Sequence, residues 1–189
     1  MGILLDTFKK DLVGRKLART AEARKWLYHK VQGLGFNRSS LINAGSSSKI
    51  FIGKMFFFFY DPKTKEKLPY YDTFPLVIPI EIYNDGFLGL NLHYLEPGLR
   101  VMLLDKLMDY SNNKALTEHT RLSLSYELIA SASRLEMAKP CIKRYLFSHV
   151  QSKFINIEPI EWDIAVFLPS ENFVGASKTK VWSESRNKF

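Results

Sequence analysis

A chain of 189 residues, 46% apolar and 14% aromatic with 14 phenylalanines, carries enough hydrophobic material for one packed domain with extensions. Its single cysteine, Cys141, excludes an intramolecular disulfide framework and a cysteine-rich metal site. The excess of 27 basic over 19 acidic residues gives a net charge of +8, which favours polyanions: nucleic acid, an anionic membrane surface or an acidic protein.

In chain order, residues 3–32 predict a long amphipathic helix. Leu5, Phe8 and Leu12 recur at spacings of three and four, and Trp26, Leu27 and Val31 continue an apolar stripe. The remaining faces are basic: Lys9, Lys10, Arg15, Lys16, Arg19, Arg24, Lys25 and Lys30 stand against Asp6, Asp11 and Glu22. Gly14 weakens this helix, and Gly33-Leu34-Gly35 supplies its C-terminal cap. Residues 1–35 are therefore expected as a basic helix and the polar run FNRSSLINAGSSS, 36–48, as a flexible linker.

Strands come next. Ile50–Tyr60 is rich in Phe and Ile and ends at Asp61-Pro62, followed by the charged loop tip Lys63–Lys67. Phe74–Tyr83 reads as a second strand; Pro75 and Pro79 cannot donate to a ladder, so an edge or bent strand is expected. Asn84-Asp85-Gly86 is a hairpin turn whose Asp-Gly pair tolerates positive φ, and Phe87–Leu95 returns as a third strand. Gly89 marks a bulge or a close backbone approach. These features predict an α+β protein built on a small, curved antiparallel sheet, an SH3-like partial barrel.

After Pro97-Gly98 the apolar period changes to that of a helix. Val101, Leu104, Leu107 and Met108 share one face of a helix over Leu99–Tyr110. Thr117 caps a second helix to about Leu135, and Pro140 opens a third to about His149, giving a three-helix segment after the sheet. Phe154–Ile157 is expected as a return strand, Pro159–Phe167 as a short helix, and residues 169–189 as an extended tail. The core domain then spans 49–168. No run approaches the ~18 apolar residues that span a bilayer.

Catalytic patterns are lacking. The histidines His29, His93, His119 and His149 are scattered without metal-ligand spacing, and Cys141 is expected as a buried inert thiol. A metal-dependent nuclease needs a second acid two residues before a lysine on a hairpin. Asp72 and Glu81 lie on the right element, but Tyr83 stands where the lysine belongs. No catalytic residue, metal or cofactor is expected. The positive signals are basic patches interleaved with aromatics. Lys9, Lys10, Arg15, Lys16 and Arg19 on the N-terminal helix, with Lys139, Lys143, Arg144 and Lys153, form the candidate DNA-binding set. The alternative for these faces is contact with acidic protein neighbours. Phe56, Phe57, Phe58 and Trp182 are the candidates for partner docking.

The runs YDPKTKEKLPYYDTFPLVIPIEIYNDGFLGLNLHYLEPGLR (Tyr60–Arg100) and RLSLSYELIASASRLEMAKPCIKRYLFSHVQSKFINIEPIEWDIAVFLPSENF (Arg121–Phe173), with Val181-Trp182-Ser183, resemble a virion protein of T4-like tailed phages, particularly those of marine hosts. That group comprises DNA end protectors and neck or tail structural proteins. The resemblance implies a protein that joins the filled capsid near the portal and neck, with other virion proteins as partners. There it would bind the end of packaged double-stranded DNA and shield it from exonuclease. A purely structural neck, tail or baseplate subunit is the alternative. The resemblance brings no catalytic motif.

Overall fold

The computed structural model describes residues 2–8, 20–44, 47–111 and 136–187. It is an α+β protein with two antiparallel sheets. The larger has five strands in the order β5-β4-β3-β1-β6: β1 Met55–Phe57, β3 Leu76–Tyr83, β4 Gly86–Asn91, β5 Ile142–Leu146 and β6 Ile155–Ile157. The smaller pairs β2 Tyr71–Asp72 with β7 Phe173–Val174. The helices are α1 Ile3–Thr7, α2 Ala21–Gln32, α3 Arg38–Ala44, α4 Pro97–Ser111, α5 Trp162–Phe167 and α6 Lys178–Arg186.

The phenylalanine run organises this fold through the two-residue period of a strand. Met55 and Phe57 face a large core with Leu76, Ile78 and Leu90, covered by residues of the helices such as Leu4, Leu27, Leu104 and Ile164. Phe56 and Phe58 face the other way, into an aromatic cluster with Tyr60, Phe87, Tyr145 and Phe154. Within it Phe58 meets Tyr145 and Phe154 edge-on at 5.3 and 5.2 Å, and Phe87 stacks on Tyr145 at 5.1 Å. Each buried ring stabilises the fold by about 1.5–3 kcal/mol relative to exposure, and each good ring pair adds about 0.5–1.5 kcal/mol. Both faces of the sheet are therefore covered, and the five strands do not close as the expected SH3-like half barrel.

Prolines and glycines shape β3 and β4. Strand β1 reaches only Leu76 and Val77, so β3 is central in its first part and an edge where Pro79 lies. The register shifts between Pro79 and Glu81, opposite Gly89, which absorbs the missing donor in a bulge. The Asn84-Asp85 turn uses no positive φ at any of its residues, contrary to the expected reason for its glycine. Gly86 is needed for space instead: a Cβ there would lie 1.9 Å from the Tyr145 carbonyl oxygen on β5.

Several expected elements are corrected. The single helix over 3–32 is replaced, in its described parts, by α1 and α2; residues 9–19 lie outside the described residues. The linker contains α3, started by Asn37, whose side-chain oxygen accepts from the Ser40 N–H at 3.1 Å, and anchored by buried Leu41. The expected helix over 140–149 is strand β5, because pairing with β4 from Gly86 to Leu90 outweighs its local pattern. The extended tail holds β7 and α6, the latter capped by Ser177 and anchored by buried Val181. The helix after Pro97-Gly98, the return strand and the short helix before Leu168 form close to their expected places. The second post-sheet helix, 117–135, lies outside the described residues. Among the described residues no helix is long and apolar enough to cross a membrane.

Candidate nucleic-acid interface

The basic residues expected to contact DNA fall into two groups. Lys9, Lys10, Arg15, Lys16 and Arg19 lie outside the described residues. Lys139, Lys143 and Arg144 come together at the edge of the five-stranded sheet, on and just before β5, while Lys153 is exposed between β5 and β6. An edge strand carrying lysine and arginine is guarded against pairing with another chain. Lys143 places its Nζ 4.1 Å over the ring of Tyr94, and the Arg144 guanidinium lies 4.4 Å over Tyr83 while pairing with the exposed Asp85. Both cations are thus positioned by aromatic faces rather than left to sweep through solvent.

Arg24, part of the expected basic N-terminal face, is turned inward. Its guanidinium forks onto Asp105 at 2.7 and 2.5 Å and reaches Asp163 at 3.4 Å, joining α2 to α4 and α5. The Asp105 hydrogen bond, reinforced by both carboxylates against the effect of burial, raises its pKa above the usual arginine value.

The aromatic docking candidates are corrected. Phe56, Phe57 and Phe58 are buried inside this chain and have no face left to offer a partner. Trp182 is half-buried, donating its indole N–H to the His93 carbonyl at 2.8 Å and lying 5.6 Å from the Arg100 guanidinium. It holds α6 against the body of the protein.

Beside β5 lies a pocket of about 200 Å³, bounded by the loop from Tyr60 to Tyr71. Five tyrosines line it: Tyr60, Tyr70, Tyr71, Tyr94 and Tyr145. Lys143 and Arg144 stand on its wall, with Asp72 and Asn91 among its polar lining. Burial, with a hydrogen bond to Glu184, pushes the Tyr70 hydroxyl up to about 12; burial also raises Tyr60, Tyr94 and Tyr145, so these phenols stay protonated near neutral pH. Sequence reasoning named Lys143 and Arg144, with Tyr145 as an interleaved aromatic, but missed Tyr60, Tyr70, Tyr71 and Tyr94. Their signal was Pro69-Tyr70-Tyr71 directly after a lysine-rich loop, read only as a loop tip.

Behind the pocket runs a buried polar network. Asp72 Oδ2 lies 2.6 Å from His93 Nδ1, and His93 Nε2 lies 2.9 Å from Ser170 Oγ. Carboxylate, imidazole and hydroxyl follow one another as in a serine hydrolase. His93 and Ser170 are nevertheless fully buried, which leaves no room for a substrate carbonyl at the hydroxyl. Burial pushes the Asp72 carboxyl up, but His93, the Phe74 N–H and Asn91 outweigh it and hold it below the usual carboxylate range. The network ties β2, the turn after β4 and the segment leading to β7 together. The nuclease pairing has no support in this arrangement: Asp72 is committed to these partners, and Glu81 points to solvent. Among the described residues no group of three or more His, Cys, Asp or Glu is placed to hold a metal ion. Cys141 is buried, and burial pushes its thiol up to about 12, away from the reactive thiolate.

Comparison with known protein families matches the chain to the model described as Phage T4 terminal DNA protecting protein, over residues 4–187. Neither the curated proteins nor the solved structures give a significant match.

Proposed function

Because this chain belongs to the phage T4 terminal DNA protecting protein family, we propose that it binds the ends of packaged double-stranded phage DNA and shields them from exonuclease without itself catalysing a reaction. The family match across nearly the whole chain carries this reading. The basic edge at Lys139, Lys143 and Arg144 supports it physically, since such groups neutralise phosphates and release counterions. Lys153 and the basic residues between Lys9 and Arg19 add to the positive charge that draws a polyanion. The protein acts in the virion, near the portal and neck, where the last-packaged DNA end sits beside neighbouring virion proteins.

The test is a binding titration of the full chain with short linear duplex at several salt concentrations. Affinity is expected to fall steeply with salt, and the triple variant Lys139→Glu, Lys143→Glu, Arg144→Glu to lose most of it. Absence of any duplex affinity at low salt overturns the reading and leaves a purely structural subunit that meets acidic neighbours.

A further inference from the structure

We propose that the tyrosine-lined pocket beside β5 receives the last nucleotide of the DNA strand, unstacked from the duplex, so that the protein recognises an end rather than duplex in general. This rests on the end-binding reading above and assigns it a subsite.

The size of the pocket comes first. At about 200 Å³ it falls below the ~300–1,000 Å³ of pockets that enclose a whole small-molecule ligand, and a duplex cannot enter it. It suits one planar ring system carried by a larger molecule. The walls are of the matching kind. Tyr70 and Tyr94 lie 6.1 Å apart and are both braced by Phe173, while Tyr60 and Tyr145 form an edge-to-face pair at 4.9 Å. These rings are fixed before any ligand arrives, so little ordering cost falls on binding. Tyr60, Tyr94 and Tyr145 are themselves almost fully buried, so the ring surface left to a base is that of the partly exposed Tyr70 and Tyr71, and every base has a π-face to lay against it.

Charge supplies the second argument. Lys143, held over Tyr94, brings an ammonium to the pocket wall, and Arg144 stands next to it. The adjoining loop exposes Lys63, Lys65 and Lys67, against which stand Asp61, paired with Lys65, and Glu66. A phosphate following the base into the pocket therefore meets the cations of Lys143 and Arg144 on its wall. Polar handles for the base edge are present too. Asn91, whose Nδ2 donates to the Tyr145 hydroxyl at 3.1 Å, and Asp72 are among the polar groups that line the pocket.

The pocket distinguishes an end through the energetics of unstacking. An internal base is stacked on both faces and paired, whereas a terminal one is stacked on a single face and frays readily. Extrusion is easiest where pairing is already weak or missing. A protein that holds the terminal nucleotide also covers the atoms from which an exonuclease starts.

The experiment compares two linear duplexes that share one sequence and differ only in an unpaired terminal nucleotide, either normal or abasic. Full-chain protein is titrated against both, and against closed circular duplex. Wild type is expected to bind the base-bearing end roughly tenfold more tightly than the abasic end. Leu68→Trp, at an exposed position on the pocket rim, and Tyr71→Ala, outside both hydrophobic cores, are expected to bring that ratio to about one. Far-UV circular dichroism and a thermal melt identify either variant that fails to fold, and the wild-type comparison stands without them. Equal wild-type affinity for base-bearing and abasic ends overturns the pocket assignment while leaving duplex binding intact. A ratio that survives in both folded variants overturns it as well. Loss of all salt-sensitive duplex binding in wild type sinks the parent reading together with this one.

Discussion

Arg100 decides more of this molecule than any other single residue. Its side chain is fully buried and donates to the Leu95 carbonyl at 2.8 Å, the Val166 carbonyl at 3.0 Å and Glu171 Oε1 at 2.6 Å. One guanidinium thus joins the turn after β4, helix α5 and the segment leading into β7. Replacing it by leucine strands the Glu171 carboxylate and leaves the carbonyls without a donor. Arg100→Leu is expected to cost about 3–5 kcal/mol in equilibrium urea unfolding, the penalty for breaking a buried pair from one side. The same pair gives the stability a pH dependence. Burial alone would raise Glu171, but Arg100 and His93 hold it below its usual value, and Asp72 is likewise depressed. For depressed carboxylates the stabilisation is complete above the unfolded range of about 3.9–4.3 and is lost as pH falls through the lower folded values. Glu161 has the opposite sign: burial raises it despite bonds from the Leu5, Glu158 and Leu4 N–H groups, so its ionisation weakens the fold as pH rises through its folded value. Unfolding free energy measured from pH 7 down to pH 3 should therefore fall in acid, and Glu171→Gln should flatten that fall. An unchanged slope in that variant would assign the acid sensitivity elsewhere.

At the scale of elements, the hairpin and edge strand carry the proposed DNA-binding surface. Gly86 of β4 lies tight against β5, and an alanine methyl there would meet the Tyr145 carbonyl oxygen. Gly86→Ala is expected to destabilise the protein by about 1–3 kcal/mol through overpacking. It should also speed amide exchange at residues 142–146, since the two strands must separate. If exchange there is unchanged while stability falls, the strain is relieved in the hairpin instead. This pairing also explains what sequence could and could not reveal. The turn at Asn84-Asp85 and strands β3 and β4 were legible because local chemistry and tertiary context agree. Strand β5 was not: Pro140 and the run from Ile142 to Leu146 fit a helix start as well as a strand, and only β4, over 50 residues away, decides between them. Helix α6 escaped notice because only Val181 and Ser185 of its nine residues are buried, leaving almost no apolar stripe to read. The His93–Ser170 contact joins positions 77 apart and exists only because β2 pairs with β7. The basic edge was legible in composition; the tyrosine pocket required three separate segments to meet, around Tyr70, Tyr94 and Tyr145.

Over the whole molecule, a net charge of +8 creates a competition between non-specific and end-specific binding. The non-specific part depends on phosphates, which every stretch of duplex offers equally, and it weakens steeply as salt rises. The end-specific part depends on a limited pocket and on stacking, which salt affects far less. At low salt the protein should therefore coat duplex in proportion to length. At higher salt the amount bound should become independent of length, because every linear duplex has two ends. The prediction is a crossover: with two linear duplexes, one twice as long as the other, the bound protein per duplex differs at low salt and converges as salt is raised. Closed circular duplex should lose its protein over the same interval. Analytical ultracentrifugation at a series of salt concentrations measures this directly. Binding that scales with length at every salt concentration would mean that only the charge is at work. In that case protection of the terminus would have to come from the surrounding virion, since simple coating cannot favour an end over any other stretch of the duplex.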